Sequence, residues 1–337
     1  MGDLDLGLML GYWAAQPRLD DVELAQEAER LGFDSVWTAE SWGSDAVSTL
    51  TWLGAHTSRI RLGTGVIQMS ARTPAATAMS AVTIDHLTGG RMILGLGVSG
   101  PQVVEGWYGQ PFPKPLARTR EYVSILRSAF AREERLTNDG PHHPLPHPGG
   151  MGLGKPLKIM THPLRADLPI YLAAEGPKNV ALATEIADGW LPIFLSPERF
   201  DDMYGASLAA RPDGFRIAAP VQVNIADDVA QALLPVKYML AFYVGGMGAE
   251  SANFHTDVIG RAGFGEAAEQ IQERFLAGDR EGAVAAVPDE LADEIALCGP
   301  EGRVRERLQR WIDSPVTTVL AMSRDPRTLA VLADALN

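Results

Sequence analysis

The chain has 337 residues, 46% hydrophobic and 21% charged, with a formal net charge of −13 at pH 7. That balance describes a globular, enzyme-sized protein, either one large α/β barrel or two smaller domains, and its acidity offers no basic face to nucleic acid. A single cysteine, Cys298, excludes a disulfide framework and a thiolate metal site; the acidic start MGDLDLGLML lacks the basic region of a secretion signal; and no apolar run approaches the roughly 20 residues of a membrane span, so a cytoplasmic protein apart from the membrane is expected.

In chain order, Leu6, Leu8 and Leu10 alternate with Asp5, Gly7 and Met9 as a first strand, followed by Tyr12 and Trp13. Asp20 or Asp21 caps a helix with Leu24, Ala25, Ala28 and Leu31 on one face, and Gly32 ends it. DSVWTAE, from Asp34 to Glu40, is a second strand, and a helix through Leu50, Leu53 and Ala55 follows. RIRLGTGVIQMS, from Arg59 to Ser70, is a buried third strand that carries Gly63 and Gly65 where a plain strand has no use for glycine. Glycine there marks a close approach of backbone to ligand, or simply a turn. Thr73-Pro74 opens the next helix, with proline at a permitted first-turn position, and Gly89-Gly90 stops it. RMILGLGV is strand four, and an amphipathic helix runs from Leu116 to Arg132.

The regularity then fails. Residues 133–168 are rich in proline and glycine and read as an insertion lying over a site. PIYLAA is strand five, a helix covers Pro177 to Ala187, and GWLPIF is strand six. Strand seven runs from Arg216 to Ala226, with Pro220 inside it as a weakness. Residues 246–298 read as a second, mainly helical insertion; Glu301–Ile312 is a helix, Thr317–Met322 strand eight, and Arg327–Leu336 the last helix.

Eight strands, nearly all followed by a helix, fit one (β/α)8 TIM barrel over 1–337 with insertions after strands 4 and 7; the alternative is an open doubly wound sheet. Barrel chemistry sits at the C-terminal ends of the strands. Those ends carry small, polar and aromatic residues: Tyr12, Trp13, Glu40, Ser41, Gly65, Val66, Gln68, Ser99, Gly100, Gln102, Glu175, Gly176, Asn179 and Arg324. They hold no histidine or carboxylate cluster, so no metal centre is expected. Ser99-Gly100 and Glu175-Gly176-Pro177-Lys178-Asn179 open helices whose N–H groups suit an anion, pointing to a phosphate-bearing cofactor; each alone also reads as an ordinary turn. His142, His143 and His147 read as solvated loop residues. Arg72, Lys155, Lys158 and Arg165 flank the mouth or lie on a solvated rim.

Taken together, LGFDSVWTAESWGSDA, RIRLGTGVIQMSARTPA, IDHLTGGRMILGLGVSGPQVVEGWYG, PLARTREYV, LPIYLAAEGPKNVALATEIADGW and AAVPDEL before CGPEGRVRERL resemble the luciferase-like monooxygenase superfamily. Within it they are most similar to actinobacterial deazaflavin-dependent (coenzyme F420) oxidoreductases. The resemblance implies a barrel of bacterial-luciferase type with a flavin-type ring at the strand C-termini, backed by a non-proline cis peptide at Gly65–Val66. It places Gly65 and Val66 behind the ring and Ser99, Gly100, Glu175, Gly176, Pro177 and Asn179 along the ribityl and phosphate part, and Gln68, Gln102 and Lys178 are expected to bind the cofactor as well.

Glu40 falls where relatives carry an acidic residue beside the ring. Many have histidine next, and Ser41 stands there instead, a poor acid or base near neutral pH. Glu40 is then either the titrating substitute or a fixed acceptor that orients the cofactor. The resemblance implies F420-dependent hydride transfer to or from a small organic molecule, in a homodimer. The alternatives are an FMN-dependent monooxygenase fed reduced flavin by a separate reductase, and a non-catalytic flavin-binding protein. Substrate is expected near Tyr12, Trp13, Trp42 and Trp107.

Overall fold

A computed structural model describes residues 4–248 and 253–336. The first three residues of the acidic start, and residues 249–252 of the second insertion, lie outside the described residues.

Ten parallel strands build the barrel: β1 (Asp5–Gly11), β2 (Ser35–Thr38), β3 (Arg61–Thr64), β4 (Ile67–Gln68), β5 (Met92–Gly97), β6 (Ile170–Ala173), β7 (Gly189–Leu191), β8 (Arg216–Ile225), β9 (Ala296–Gly299) and β10 (Thr318–Met322). Nine of them fill the eight positions of the ring, and β9 pairs with β8 alone. β3 and β4 are two halves of one position, separated at the Gly65–Val66 bond, which is cis. The ring closes where β10 pairs with β1 (Leu6↔Val319) and with β8 (Leu320↔Pro220). Pro220 therefore sits inside a barrel strand after all.

The residues that end the expected second insertion, 296–298, begin β9 instead. This strand pairs with the C-terminal half of β8, Gln222↔Ala296 to Ile225↔Gly299.

Alternation along each strand sorts the core into two shells. Met9, Trp37, Ile93, Tyr171, Leu191, Ala218 and Leu320 fill the barrel interior. Their neighbours Leu8, Val36, Leu94, Leu172, Ile217 and Val319 point outward against the helices. Trp37 is the largest interior side chain, and glycine makes room for it: a Cβ on Gly63 would meet its ring at 2.2 Å. Its indole N–H is satisfied by Ser35 Oγ at 2.9 Å. A third shell lies under the second insertion, where Val236, Leu240, Val244, Val258, Ile271 and Leu291 pack together.

The helix Asp21–Arg30 starts where expected, but neither aspartate caps it by side chain; both bind Arg324. Asp45, Thr73 and Asp228 do cap theirs. Against the expectation, one helix, Val229–Gly246, has the length and composition of a membrane span. Leu233, Val236, Leu240 and Val244 on it are buried in the third shell, while Pro235 and Lys237 interrupt its apolar run.

The Pro/Gly-rich segment is ordered by specific ties. Leu136 pairs with Leu157 and Asn138 with Leu145, so it forms an arm. Its ends lie near the N-terminal side of the barrel, where Arg132 donates to Ile159 O and Arg165 grips Asp85 and the carbonyl of Met92, the first residue of β5. Arg165 is therefore remote from the mouth. The arm climbs the helix Pro115–Ala131, and the N–H groups of His142 and His143 both bind Glu121 Oε2 at 3.0 Å. These two histidines are held rather than solvated. Burial, with Arg118 nearby, pushes His143 below its ordinary pKa.

Candidate active site

The strand ends bring Glu40, Gly65, Val66 and Gln68 into one group. The N–H of Glu40 donates to Val66 O at 3.2 Å, and Gly65 donates to Thr38 O at 2.7 Å. The Glu40 side chain is buried, and Oε1 accepts from Gln68 N–H at 2.8 Å and from Arg72 Nη1 at 2.7 Å. Oε2 takes a longer bond, 3.4 Å, from Ala46 N–H. Arg72 also binds Asp45, and its carbonyl accepts from Tyr122 Oη at 3.1 Å. Arg72 is thus committed to two carboxylates. Burial lowers its pKa, but Glu40 and Asp45 outweigh that and raise it. Burial and then Glu40 raise the phenol of Tyr108, a neighbour that sequence reasoning did not single out. Ser41 is half-buried, and its hydroxyl makes no hydrogen bond among the described residues.

Val66, Ala173 and Met322 top the interior plug and form the floor of the mouth. The floor is closely fitted: a Cβ on Gly97 would meet Val66 Cγ2 at 2.6 Å, and one on Gly65 would meet Met9 Cε at 2.8 Å. The arc continues along β5 and β6. Ser99 adopts φ +61°, and Gly100 begins the six-residue helix Pro101–Gly106. Gln102 is exposed, with Oε1 turned back toward Gly100. Glu175 and Gly176 precede the helix Pro177–Ile186, and space is open above Gly176.

Each helix opens with proline, which has no N–H, and the carbonyls of Gly100 and Gly176 take the N–H groups of Val103 and Val104 and of Asn179 and Val180, leaving those of Gln102 and Lys178 outside these bonds. Lys178 is exposed, in an outer groove beside Leu116, Arg120 and Glu185.

The second insertion covers this arc. The carbonyl of Met247 comes within 3.8 Å of a Cβ placed on Gly100, and Arg261 donates to the carbonyl of Glu175 at 2.7 Å. His255, on the short helix Phe254–Ile259, places Nδ1 3.1 Å from Glu175 Oε1. The His255 ring stands edge-on to Tyr243 at 5.0 Å and to Phe194 at 5.9 Å. Tyr243 in turn faces Tyr12; burial first, then Tyr12 and Glu175, push its phenol far above the ordinary value. Sequence reasoning had no position for His255 and passed over Tyr243, because neither lies next to a strand end.

The sequence pattern of luciferase-like monooxygenases matches residues 11–318. The chain belongs to the luciferase-like monooxygenase family. A provisionally named coenzyme F420-dependent oxidoreductase of Mycobacterium tuberculosis is 53% identical, with 98% of each chain covered. Among solved structures of the same barrel, the coenzyme F420-dependent tetrahydromethanopterin reductase of Methanopyrus kandleri superposes with a TM-score of 0.81 at 24% identity, over 99% of this chain and 98% of that one. An F420-dependent secondary alcohol dehydrogenase superposes with a TM-score of 0.78 at 17% identity, over 100% of both chains.

In this luciferase-like barrel, two buried acceptors at the mouth are unpartnered among the described residues: Gln68 Oε1 and Glu175 Oε2. Beside Ser70 and Val98 is a cavity of ≈ 20 Å³, also lined by Arg118, Tyr122 and His143. Here His143 brings the Pro/Gly-rich arm to strand-end level. Trp42 and Trp107 are exposed, and Trp13 is tied down through Ser44 Oγ at 2.8 Å and Asp21 Oδ2 at 3.1 Å.

Proposed function

We propose that this protein is a coenzyme F420-dependent oxidoreductase acting on a small organic substrate. The observation that carries the reading is the 53% identity over essentially the whole chain to a protein named for that cofactor. The mouth fits such a group. A flat, tightly packed floor of Val66, Ala173 and Met322 suits a planar ring, and Gly65 and Gly97 keep that floor low. The free acceptors Gln68 Oε1 and Glu175 Oε2 suit N–H and hydroxyl donors of a deazaflavin and its ribityl chain. The opening over Gly176 and the turn at Ser99-Gly100 give the tail a path. Bound there, F420 supplies a carbon centre that gives or takes a hydride.

The protein's own share is positioning and exclusion of water. Glu40 is the fixed acceptor of the two roles open to it, because Arg72 and two backbone N–H groups hold its carboxylate. It locks the end of β2 to β4 and so fixes the floor. The aromatic lid of Phe194 and Tyr243 closes the opposite side. A homodimer is part of the same reading. Trp52 on the helix Ala46–His56, Met79 and Leu87 on the helix Pro74–Leu87, and Met160 and Leu164 on the arm are exposed, and His86 Nε2, 2.8 Å from His162 O, joins the second of these helices to the arm.

Binding decides between this and an FMN-dependent oxygenase. Purified protein titrated with F420 and with FMN is expected to bind F420 at least tenfold more tightly. Tight FMN binding without F420 affinity, with oxygen consumption on adding reduced FMN, overturns it.

A further inference from the structure

His255 and Glu175 form a pair across the seam between the second insertion and the strand-end loop of β6. Of the seven histidines, two face carboxylates. His142 lies 4.0 Å from Glu121, which already spends Oε2 on the N–H groups of His142 and His143 and on Asn138, so that pair is structural. Glu175 is different. Its Oε2 and His255 Nδ1 are buried with no hydrogen-bond partner, and Nδ1 stands at ion-pair distance from Oε1 without hydrogen-bond alignment. His255 Nε2 makes no hydrogen bond among the described residues, in a setting walled by Phe194 and Tyr243. The other titratable groups around the pair are Tyr12 across from Tyr243, and Arg261 and Tyr204 on the far side of Glu175.

We infer that His255 is the proton donor and acceptor of the reaction, with Glu175 as the residue that positions it, and that the substrate is a carbonyl compound or the matching alcohol. This rests on the proposed F420 chemistry. Ser41 is a poor acid or base near neutral pH, and Glu40 is paired with Arg72. F420 bound over the floor would supply the hydride and its two electrons, and reduction of a carbonyl carbon would leave the π pair on the substrate oxygen. The oxygen takes the proton from Nε2 of protonated His255, leaving neutral imidazole that solvent reprotonates. In the other direction, neutral Nε2 accepts the alcohol proton as the hydride leaves carbon. The pair is held by the insertion at one end and by the strand-end loop of β6 at the other.

Two measurements test this. In the cofactor-free protein, the His255 imidazole resonances, identified by their loss in His255→Gln, are expected to move in Glu175→Gln, which alters the group at 3.1 Å from Nδ1. Unmoved resonances mean that the two side chains are not in contact and overturn the pair whatever cofactor binds. In the second, oxidation of reduced F420 by a panel of ketones, acetone and cyclohexanone included, is followed in a single turnover. His255→Gln is expected to slow it about 100-fold or more, with F420 affinity within threefold of wild type and the pH dependence flattened; Glu175→Gln retains part of the rate with a shifted profile. Wild-type rate and profile in His255→Gln overturn the inference. Absence of F420 binding by the wild-type protein refutes the cofactor proposal instead, and the proton role falls with it, while the resonance comparison in the cofactor-free protein still judges the pairing.

Discussion

Arg72 Nη1 lies 2.7 Å from Glu40 Oε1, in an ion pair whose acidic side chain is 3% exposed and whose basic one is 22% exposed. Removing one partner of such a pair strands a charge. Arg72→Met is expected to cost about 3 kcal/mol. Glu40→Gln in the same chain should recover part of that loss, since a neutral amide needs no counter-charge. A double-mutant cycle by urea unfolding checks this; strictly additive losses would show that the pair is not a unit.

The tight floor makes a graded prediction. A Cβ on Gly95 would lie 1.8 Å from the backbone oxygen of Thr64, which cannot step aside. Gly95→Ala is expected to lose about 3 kcal/mol or more, or to fail to fold. At Gly65 the obstacle is the flexible end of Met9, so Gly65→Ala should cost about 1 kcal/mol. Comparing urea midpoints gives the order, and equal losses would contradict the packing described.

Acid sensitivity has a named contributor at the opposite end of the barrel. Partial burial pushes the Glu29 carboxyl up, but the N–H groups of Arg59, Ile60 and Ser58 outweigh it and hold the pKa at about 2, from an ordinary 4.5. A depressed folded-state pKa gives stability that is full above about 4.5 and fades as pH falls toward 2. Solvent screens this half-exposed group, so its share is about 1 kcal/mol. Glu29→Gln should therefore be less stable than wild type at pH 7, with the gap closing as the pH falls toward the folded-state value. A gap independent of pH would point to lost packing rather than charge.

The apolar patch around Trp52 and Leu87 predicts a second copy of the chain upon it. Light scattering is expected to give a dimer mass for the wild-type protein. Trp52→Glu with Leu87→Glu should yield monomers that keep F420 affinity within threefold. A monomeric wild-type protein removes the homodimer from the proposal.

Much of the barrel was legible because its strands are short apolar runs punctuated by glycine and proline. The stretch RIRLGTGVIQMS announced both a strand and its interruption. β9 was hidden for a physical reason: ALCG is too short to show a period, follows charged helices, and gains its identity only by pairing with β8 some 70 residues earlier. The floor and Glu40 could be read from strand ends. His255 and Tyr243 could not, because they reach the mouth from helices whose placement depends on a separate apolar core. The Pro/Gly-rich arm misled in the other direction. Its composition suggested a loose cover, yet Glu121, Asp85 and Arg132 fasten it along the outside of the barrel.

The separate core beneath the second insertion has an evolutionary consequence. Val236, Leu240, Val258 and Ile271 pack among themselves, while Met9, Trp37 and Tyr171 pack inside the ring. Mutations that reshape the helices over the mouth leave the redox platform intact. Descendants of one ancestor could thus trade one organic partner for another by altering the canopy alone, inheriting the platform unchanged.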